Sequence, residues 1–290
     1  MSILINSNTK VLILGITGKS GRLQTKIMQE YGTNVVAGVT PGKGGMEVEG
    51  IPVYDFVTEA MENHQIDAAI SFVPPRFSKD SCLEIIENNI KFFVITAEGI
   101  PDHDVVEILQ YASLKGIKIL GPGSAGIIAP GKCKLGAHPP QMYRKGNVGI
   151  VSKSGALSYE IGKTLTENGI GQSTVVAIGG GPLWGMKQSD ILTMFENDDE
   201  TDMVVMLGEI GGTMEEEAAE VIKKHISKPV VALIVGKSAP KGKSLGHAGA
   251  IIEGNLGTVE SKVNALKKAG VYIAEDSLDI IRLIKKNERE

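Results

Sequence analysis

This sequence predicts two successive α/β domains, each built on a parallel, doubly wound sheet, and three observations support that. Short β-branched runs ending in glycine or proline alternate with longer stretches of helical period. Several of the runs, "VLIL" and "FFVI" among them, are continuously apolar, as expected of strands covered on both faces. The rhythm breaks once, across the Gly- and Pro-crowded stretch "GPGSAGIIAPGKCKLGAHPPQMYRKGN" that begins at Gly121 and ends at Asn147, and then restarts.

In chain order, "KVLILG", "NVVAGV", "AAISFVP", "KFFVITAEG" and "GIKILGPG" supply the strands of a first domain over residues 1–125. Residues 126–146 read as a linker, and "VGIVS", "GQSTVVAIGG", "DMVVMLGEIGG", "KPVVALIVG" and "GVYIAED" supply the strands of a second domain over residues 147–290. A chain of 290 residues, 42% of them hydrophobic, is long enough for two cores.

Composition narrows the function classes. The net charge of −4 comes from interleaved acids and bases, so no basic face is available to neutralise a nucleic-acid backbone. Cys82 and Cys133 stand far apart and outside any CxxC or Cys/His ligand spacing, which indicates neither a disulfide framework nor a metal site. No apolar segment approaches the roughly 20 residues of a membrane span, and the expectation is a soluble, unprocessed, cytoplasmic chain.

The first strand runs into "GITGKSG", which places Gly15, Gly18 and Gly21 at a strand-to-helix turn whose backbone N–H groups suit a phosphate. A dinucleotide site would carry an acid at the end of the second strand, but "NVVAGVTPGKGG" offers Lys43 instead. A cation there favours a ligand with an extra ribose phosphate, a feature that NADP and coenzyme A share. Thr96, Ala97 and Glu98, in "ITAEG", fall at a strand's carboxyl end, where a crevice forms; Glu98 reads equally as a cap for the next helix.

The second domain opens the same way. In "GIVSKSGALSYEI", Ser154 and Gly155 begin a helix with donors suited to an oxyanion, or serve as an ordinary serine cap. Tyr159 follows on that helix, as a packing residue or as a substrate contact. His247, in "GHAGAI", has only small neighbours, so a core role is not expected, whereas His64, His103, His138 and His225 lie in no comparable setting. A nucleophilic histidine needs one nitrogen unprotonated and the other held by an acceptor. Glu209, in "LGEIGG", is a candidate acceptor, because the acids of "TMEEEAAEVI" already complement the following helix dipole.

Taken together, "GITGKSG", "VTPGKGG", "ITAEGIP", "GIVSKSG", "MLGEIGG" and "APKGKSLGHAGAI" closely resemble the α subunits of succinyl-CoA synthetases, over essentially the whole chain. The resemblance implies a Rossmann-like CoA-binding domain followed by a flavodoxin-like ligase domain. It implies coenzyme A on Thr17, Gly18, Lys19, Ser20, Lys43, Thr96, Ala97 and Glu98, and a transiently phosphorylated His247 oriented by Glu209. Ser154 and Gly155 would hold the phosphoryl group, and Tyr159 would contact the carboxylic acid. It also implies a β subunit with an ATP-grasp domain that holds the Mg-nucleotide, ADP/ATP or GDP/GTP, since this chain has neither that domain nor a Walker loop. A phosphoryl group of charge roughly −1.5 to −2 exceeds the roughly +0.5 of one helix terminus, so a second donor helix from the partner is expected.

The chain departs from the family pattern at Gly123, Ser124 and Ala125 ("GPGSAG" for "GPNCPG"), at Gly181 ("IGGGP" for "IGGDP") and at Ala156 ("SGA" for "SGT"), and Trp184 enters the adjoining loop. These departures leave open a paralogue ligase for another acid such as malate or citrate. From other classes, a CoA- or NAD(P)-binding sensor without chemistry and an NADP oxidoreductase are the competing readings.

Overall fold

A computed structural model describes residues 2–238, 246–252 and 257–287. The chain forms two compact units: Leu4–His138 with Leu183–Met186, and Pro139–Pro182 with Lys187–Glu290 and Met1–Ile3.

The first unit contains β1 (Lys10–Leu14), α1 (Lys19–Glu30), β2 (Asn34–Val39), β3 (Glu47–Val48), β4 (Ile51–Tyr54), α2 (Val57–Asn63), β5 (Ala68–Ser71), α3 (Pro75–Glu87), β6 (Phe92–Ile95), α4 (Asp102–Leu114) and β7 (Lys118–Leu120). Its sheet order is β3-β4-β2-β1-β5-β6-β7, parallel except for the β3–β4 edge pair. Numbered along the chain, the six parallel strands run 3-2-1-4-5-6, the dinucleotide-fold order with its switch point between β1 and β5. Leu12, Leu14, Phe93 and Ile95 pack with Val57 of α2, Ile85 and Ile86 of α3 and Ile108 of α4. Val11 and Ile13 point to the other face and are equally buried, which is why these strands show no alternation. Each such side chain contributes roughly 1.5–3 kcal/mol by leaving water.

Residues 126–146, expected as a linker, contain an antiparallel hairpin of β8 (Gly126–Ala129) and β9 (Cys133–Gly136), a 3₁₀ turn (Pro140–Met142) and the start of the next strand. A Cβ on Gly126 would lie 2.0 Å from the Leu135 carbonyl oxygen, and one on Gly136 would lie 2.3 Å from that of Ala125. The glycines that look like linker composition are therefore required by close backbone approach. The hairpin is tied to the region after α1: Thr33 accepts from Lys134 N–H at 3.0 Å, and Tyr31 Oη accepts from Gly131 N–H at 2.8 Å.

The second unit contains β10 (Lys145–Ser152), α5 (Gly155–Glu167), β11 (Gln172–Ala177), α6 (Gln188–Glu196), β12 (Met203–Glu209), α7 (Met214–His225), β13 (Val230–Val235), α8 (Val259–Lys268), β14 (Tyr272–Ile273) and α9 (Ser277–Asn287). Its parallel strands run β14-β13-β12-β10-β11. In chain order that is 2-1-3-4-5 read from the far edge, the flavodoxin-like arrangement, with its switch point between β10 and β12. β11 and β12 are buried at every position. No helix among the described residues is long and apolar enough to cross a membrane.

Candidate active site

At the second unit's switch point, β10 ends at Ser152 and β12 ends at Glu209. Ser154 caps α5, its hydroxyl accepting from Leu157 N–H at 3.3 Å, and its own N–H donates to Ser152 Oγ at 3.0 Å. These bonds set the turn so that the first N–H groups of α5 face the carboxyl end of the sheet. Gly155 is half-buried and Ala156 exposed in the first turn, and Tyr159 is half-buried one turn further along. Burial raises the Tyr159 phenol above its usual value, so the group stays a neutral hydroxyl.

His247 meets the end of β12 through Glu209. Its Nδ1 lies 2.7 Å from Glu209 Oε2, and 26% of the imidazole is exposed. The cover over the ring is largely backbone: a Cβ on Gly180, just after β11, would fall 2.3 Å from the imidazole Cγ. Gly249 N–H bonds the Gly180 carbonyl at 3.3 Å, Ala250 N–H bonds that of His247 at 3.1 Å, and a Cβ on Gly211 would strike the Gly249 oxygen. A small apolar cluster of Ile210, Ala250 and Ile252 anchors the loop beneath. The small residues that left His247 without a core role in the sequence are thus what let a loop lie flat against two strand ends. Residues 239–245 of the "APKGKSLGHAGAI" motif lie outside the described residues.

Glu209 does not cap α7, whose cap position is Thr213. Its Oε1, buried and without a hydrogen bond, faces Lys153 Nζ at 3.6 Å, within ion-pair range but beyond hydrogen-bond length. Lys153 also lies 3.5 Å from Glu215 Oε1, and Lys262 Nζ lies 2.5 Å from Glu215 Oε2 and 2.9 Å from the Gly212 carbonyl oxygen. Lys153, Glu215 and Lys262 are all sealed from solvent. Sequence reasoning missed all three. In sequence Glu215 is one of the acids that complement the helix dipole; in the structure its Oε1 accepts from Glu209 N–H at 3.1 Å. The available signal was a lysine between a strand end and a serine cap in "VSKSG", which spacing alone cannot tell from a solvated one.

In the first unit, Gly15 takes φ +73° and its N–H bonds the Val39 carbonyl at 2.8 Å. Gly18 occupies the cap position of α1 without a side-chain cap, which leaves first-turn donors at Lys19 and Ser20, both exposed. A Cβ on Gly21 would lie 2.3 Å from the Gly15 oxygen, so helix and turn meet at backbone distance. Thr17 Oγ1 donates to Thr40 Oγ1 at 3.2 Å. Lys43 is exposed, and its loop is held by Asp55, whose Oδ1 accepts from Lys43 N–H at 2.9 Å and Gly44 N–H at 2.8 Å.

Thr96 donates to the Ser71 carbonyl at 2.7 Å, and Ala97 O accepts from Gly123 N–H at 2.9 Å, tying the ends of β5, β6 and β7 together. Glu98 does not cap α4, whose cap position is Pro101; its side chain lies over Gly123. Ser124 is buried and accepts from Gly126 N–H at 2.8 Å, and the Gly181 oxygen would lie 2.8 Å from a Cβ on Gly249. Among the described residues no group of three or more His, Cys, Asp or Glu side chains is arranged to hold a metal.

Comparison with known proteins gives this geometry a context. Residues 6–99 match a family model described as CoA binding domain, and residues 151–272 match one described as CoA-ligase. The succinate–CoA ligase [ADP-forming] subunit alpha 1 of Archaeoglobus fulgidus is 50% identical over 288 residues, covering 99% of this chain and 98% of its own length. The corresponding alpha subunit of Aquifex aeolicus is 49% identical over 282 residues, covering 97% and 92%. Among solved structures, Methanosaeta concilii ATP citrate lyase in complex with (3S)-citryl-CoA matches with a TM-score of 0.87 at 25% identity, over 94% of this chain and 48% of the lyase chain. With half its residues identical to a relative over nearly its full length, and both family models in the expected order, the chain belongs to the family of succinate–CoA ligase alpha subunits.

Proposed function

We propose that this chain is the alpha subunit of an ADP-forming succinate–CoA ligase in which residues 1–125 bind coenzyme A and residues 147–290 carry the phosphorylatable histidine, joined through residues 126–146. The observation that carries the reading is the 2.7 Å contact between His247 Nδ1 and Glu209 at a strand-order switch point. With the Nδ1 proton directed at a carboxylate, the imidazole's lone pair is on Nε2, the state a nucleophile requires.

Three displacements complete the reaction. A phosphate oxygen attacks the thioester carbonyl, the C–S bond breaks, and the products are succinyl phosphate and free coenzyme A. His247 Nε2 then attacks phosphorus; the N–P bond forms, the P–O bond to succinate breaks, and Glu209 stabilises the positive imidazole. Finally an oxygen of the ADP terminal phosphate takes the phosphoryl group and restores His247. Ser154, Gly155 and the α5 terminus receive the phosphoryl group, and Tyr159 the acid. Thr17, Gly18, Lys19 and Ser20 receive coenzyme A phosphates, with Lys43, Thr96, Ala97 and Glu98 lining the same crevice. The cations Lys153 and Lys262 are outnumbered by Glu209, Glu215 and Glu216. Positive charge for the phosphoryl group therefore has to come partly from the beta subunit, which also holds the Mg-nucleotide.

The test uses the chain purified with its partner and supplied with labelled ATP. An acid-labile label on His247 that disappears in His247→Asn is the expected result. Absence of label in a folded, CoA-binding complex overturns the reading in favour of a sensor. A panel of succinate, malate and citrate then fixes the acid, with succinate expected to turn over fastest.

A further inference from the structure

A row of buried charges stands behind the His247–Glu209 contact. Lys153 Nζ lies between Glu209 Oε1 at 3.6 Å and Glu215 Oε1 at 3.5 Å, and Lys262 meets the other Glu215 oxygen at 2.5 Å. Lys153 is 2% exposed, Glu215 and Lys262 not at all. Such burial is a poor way to gain stability, because a well-packed apolar set is often as good or better. A functional account is needed.

The Glu209 carboxylate is divided: Oε2 goes to His247 Nδ1, and Oε1 faces Lys153. An ammonium facing one oxygen fixes the carboxylate's rotation, so the other oxygen remains aimed at the imidazole. Glu215 reinforces this twice over, by accepting the Glu209 backbone N–H and by balancing Lys153. Lys262 in turn balances Glu215 and is pinned by the Gly212 carbonyl. We propose that Lys153 is a positioning residue for His247, acting through Glu209, with Glu215 and Lys262 holding it in place. The role rests on His247 being the phosphoryl carrier.

The experiment compares wild type, Lys153→Met and Lys153→Arg in the complex with the partner subunit. Two quantities are read: the rate of phosphohistidine formation from labelled ATP, and the His247 ring tautomer by nitrogen NMR of histidine-labelled protein. Wild-type His247 is expected as the Nδ1–H tautomer. Lys153→Met should lose that preference and phosphorylate about 100-fold more slowly, with Lys153→Arg recovering both to within about tenfold. An unchanged tautomer and an unchanged rate in Lys153→Met overturn the proposal. The tautomer does not depend on phosphoryl transfer. A wild type that never labels, with a tautomer that still responds to Lys153→Met, would remove the carrier role and keep the positioning role. Should Lys153→Met fail to fold, Lys153→Arg decides: a folded variant that retains the charge but loses the Nδ1–H tautomer overturns the proposal.

Discussion

Lys134 and Lys153 are both sealed from solvent, one in the β8–β9 hairpin of the first unit and the other at the end of β10 in the second, and their surroundings are opposite. Lys134 meets neutral oxygens, the Gly136 carbonyl and Gln24 Oε1, and burial pushes its amine down to about 8. Burial also takes His138 down to about 3, and the Cys82 and Cys133 thiols up to about 12 and about 11. Lys153 instead lies between two carboxylates. Burial thus drives Lys134 and His138 of the first unit toward their neutral forms, whereas Lys153 of the second is paired. A pocket that only binds an anion needs oriented N–H donors, and the first turn of α1 offers these at Lys19 and Ser20. The second unit instead holds buried charge in place behind His247.

The largest expected effect lies on the charged side. Glu209→Gln keeps the shape but removes the negative charge that stabilises the imidazolium, and histidine phosphorylation should fall roughly 10³- to 10⁴-fold, while coenzyme A affinity, read by calorimetry, stays unchanged. A parallel loss of CoA affinity would break the division between the units.

Next come the two buried lysines compared directly. Lys262→Met leaves Glu215 buried without its nearest cation and should cost about 3–5 kcal/mol in urea unfolding. Lys134→Met removes a group with no carboxylate partner and should cost less than about 1.5 kcal/mol. Equal costs would mean that pairing does not distinguish the units.

The third expectation concerns acid. The folded-state value of His138 lies below its ordinary 6.5 because burial disfavours the imidazolium. The unfolded chain therefore binds more protons as pH falls. Its contribution is intact above about pH 6.5 and is lost progressively toward pH 3, with a slope of up to about 1.4 kcal/mol per pH unit. His138→Gln should flatten the stability curve over that window, as followed by thermal melts.

The smallest effect belongs to Lys43, which is exposed and screened by salt. Lys43→Ala should weaken coenzyme A by about fivefold and leave 3′-dephospho-CoA unaffected; equal weakening of both would place Lys43 away from the ribose phosphate.

The strands and the two glycine turns were legible because each is a local requirement. "VLIL" has to be covered on both faces, and Gly21 cannot carry a Cβ against the Gly15 carbonyl. Glu209 was legible for a similar reason, being an acid between a buried strand and two glycines, ahead of a helix that already had its own acids. The hairpin over residues 126–136 was hidden because its glycines and proline give the same composition as a linker. Asp55, which holds the Lys43 loop, was hidden because it acts from 11 and 12 residues away.

By itself, then, the sequence determined the α/β rhythm, the order of the two halves and the strand-to-helix turns, because short-range sterics and periodicity are written in neighbouring residues, and it named Glu209 as the acid that the structure finds beside His247. Only the tertiary structure decided that Gly180 backs the His247 ring, that Glu215 turns inward, and that Lys153 and Lys262 are buried with it. Whether a charged side chain is solvated or sealed depends on which distant elements close over it, and β10, β12, α7 and α8 bring these groups together across more than 100 residues of chain.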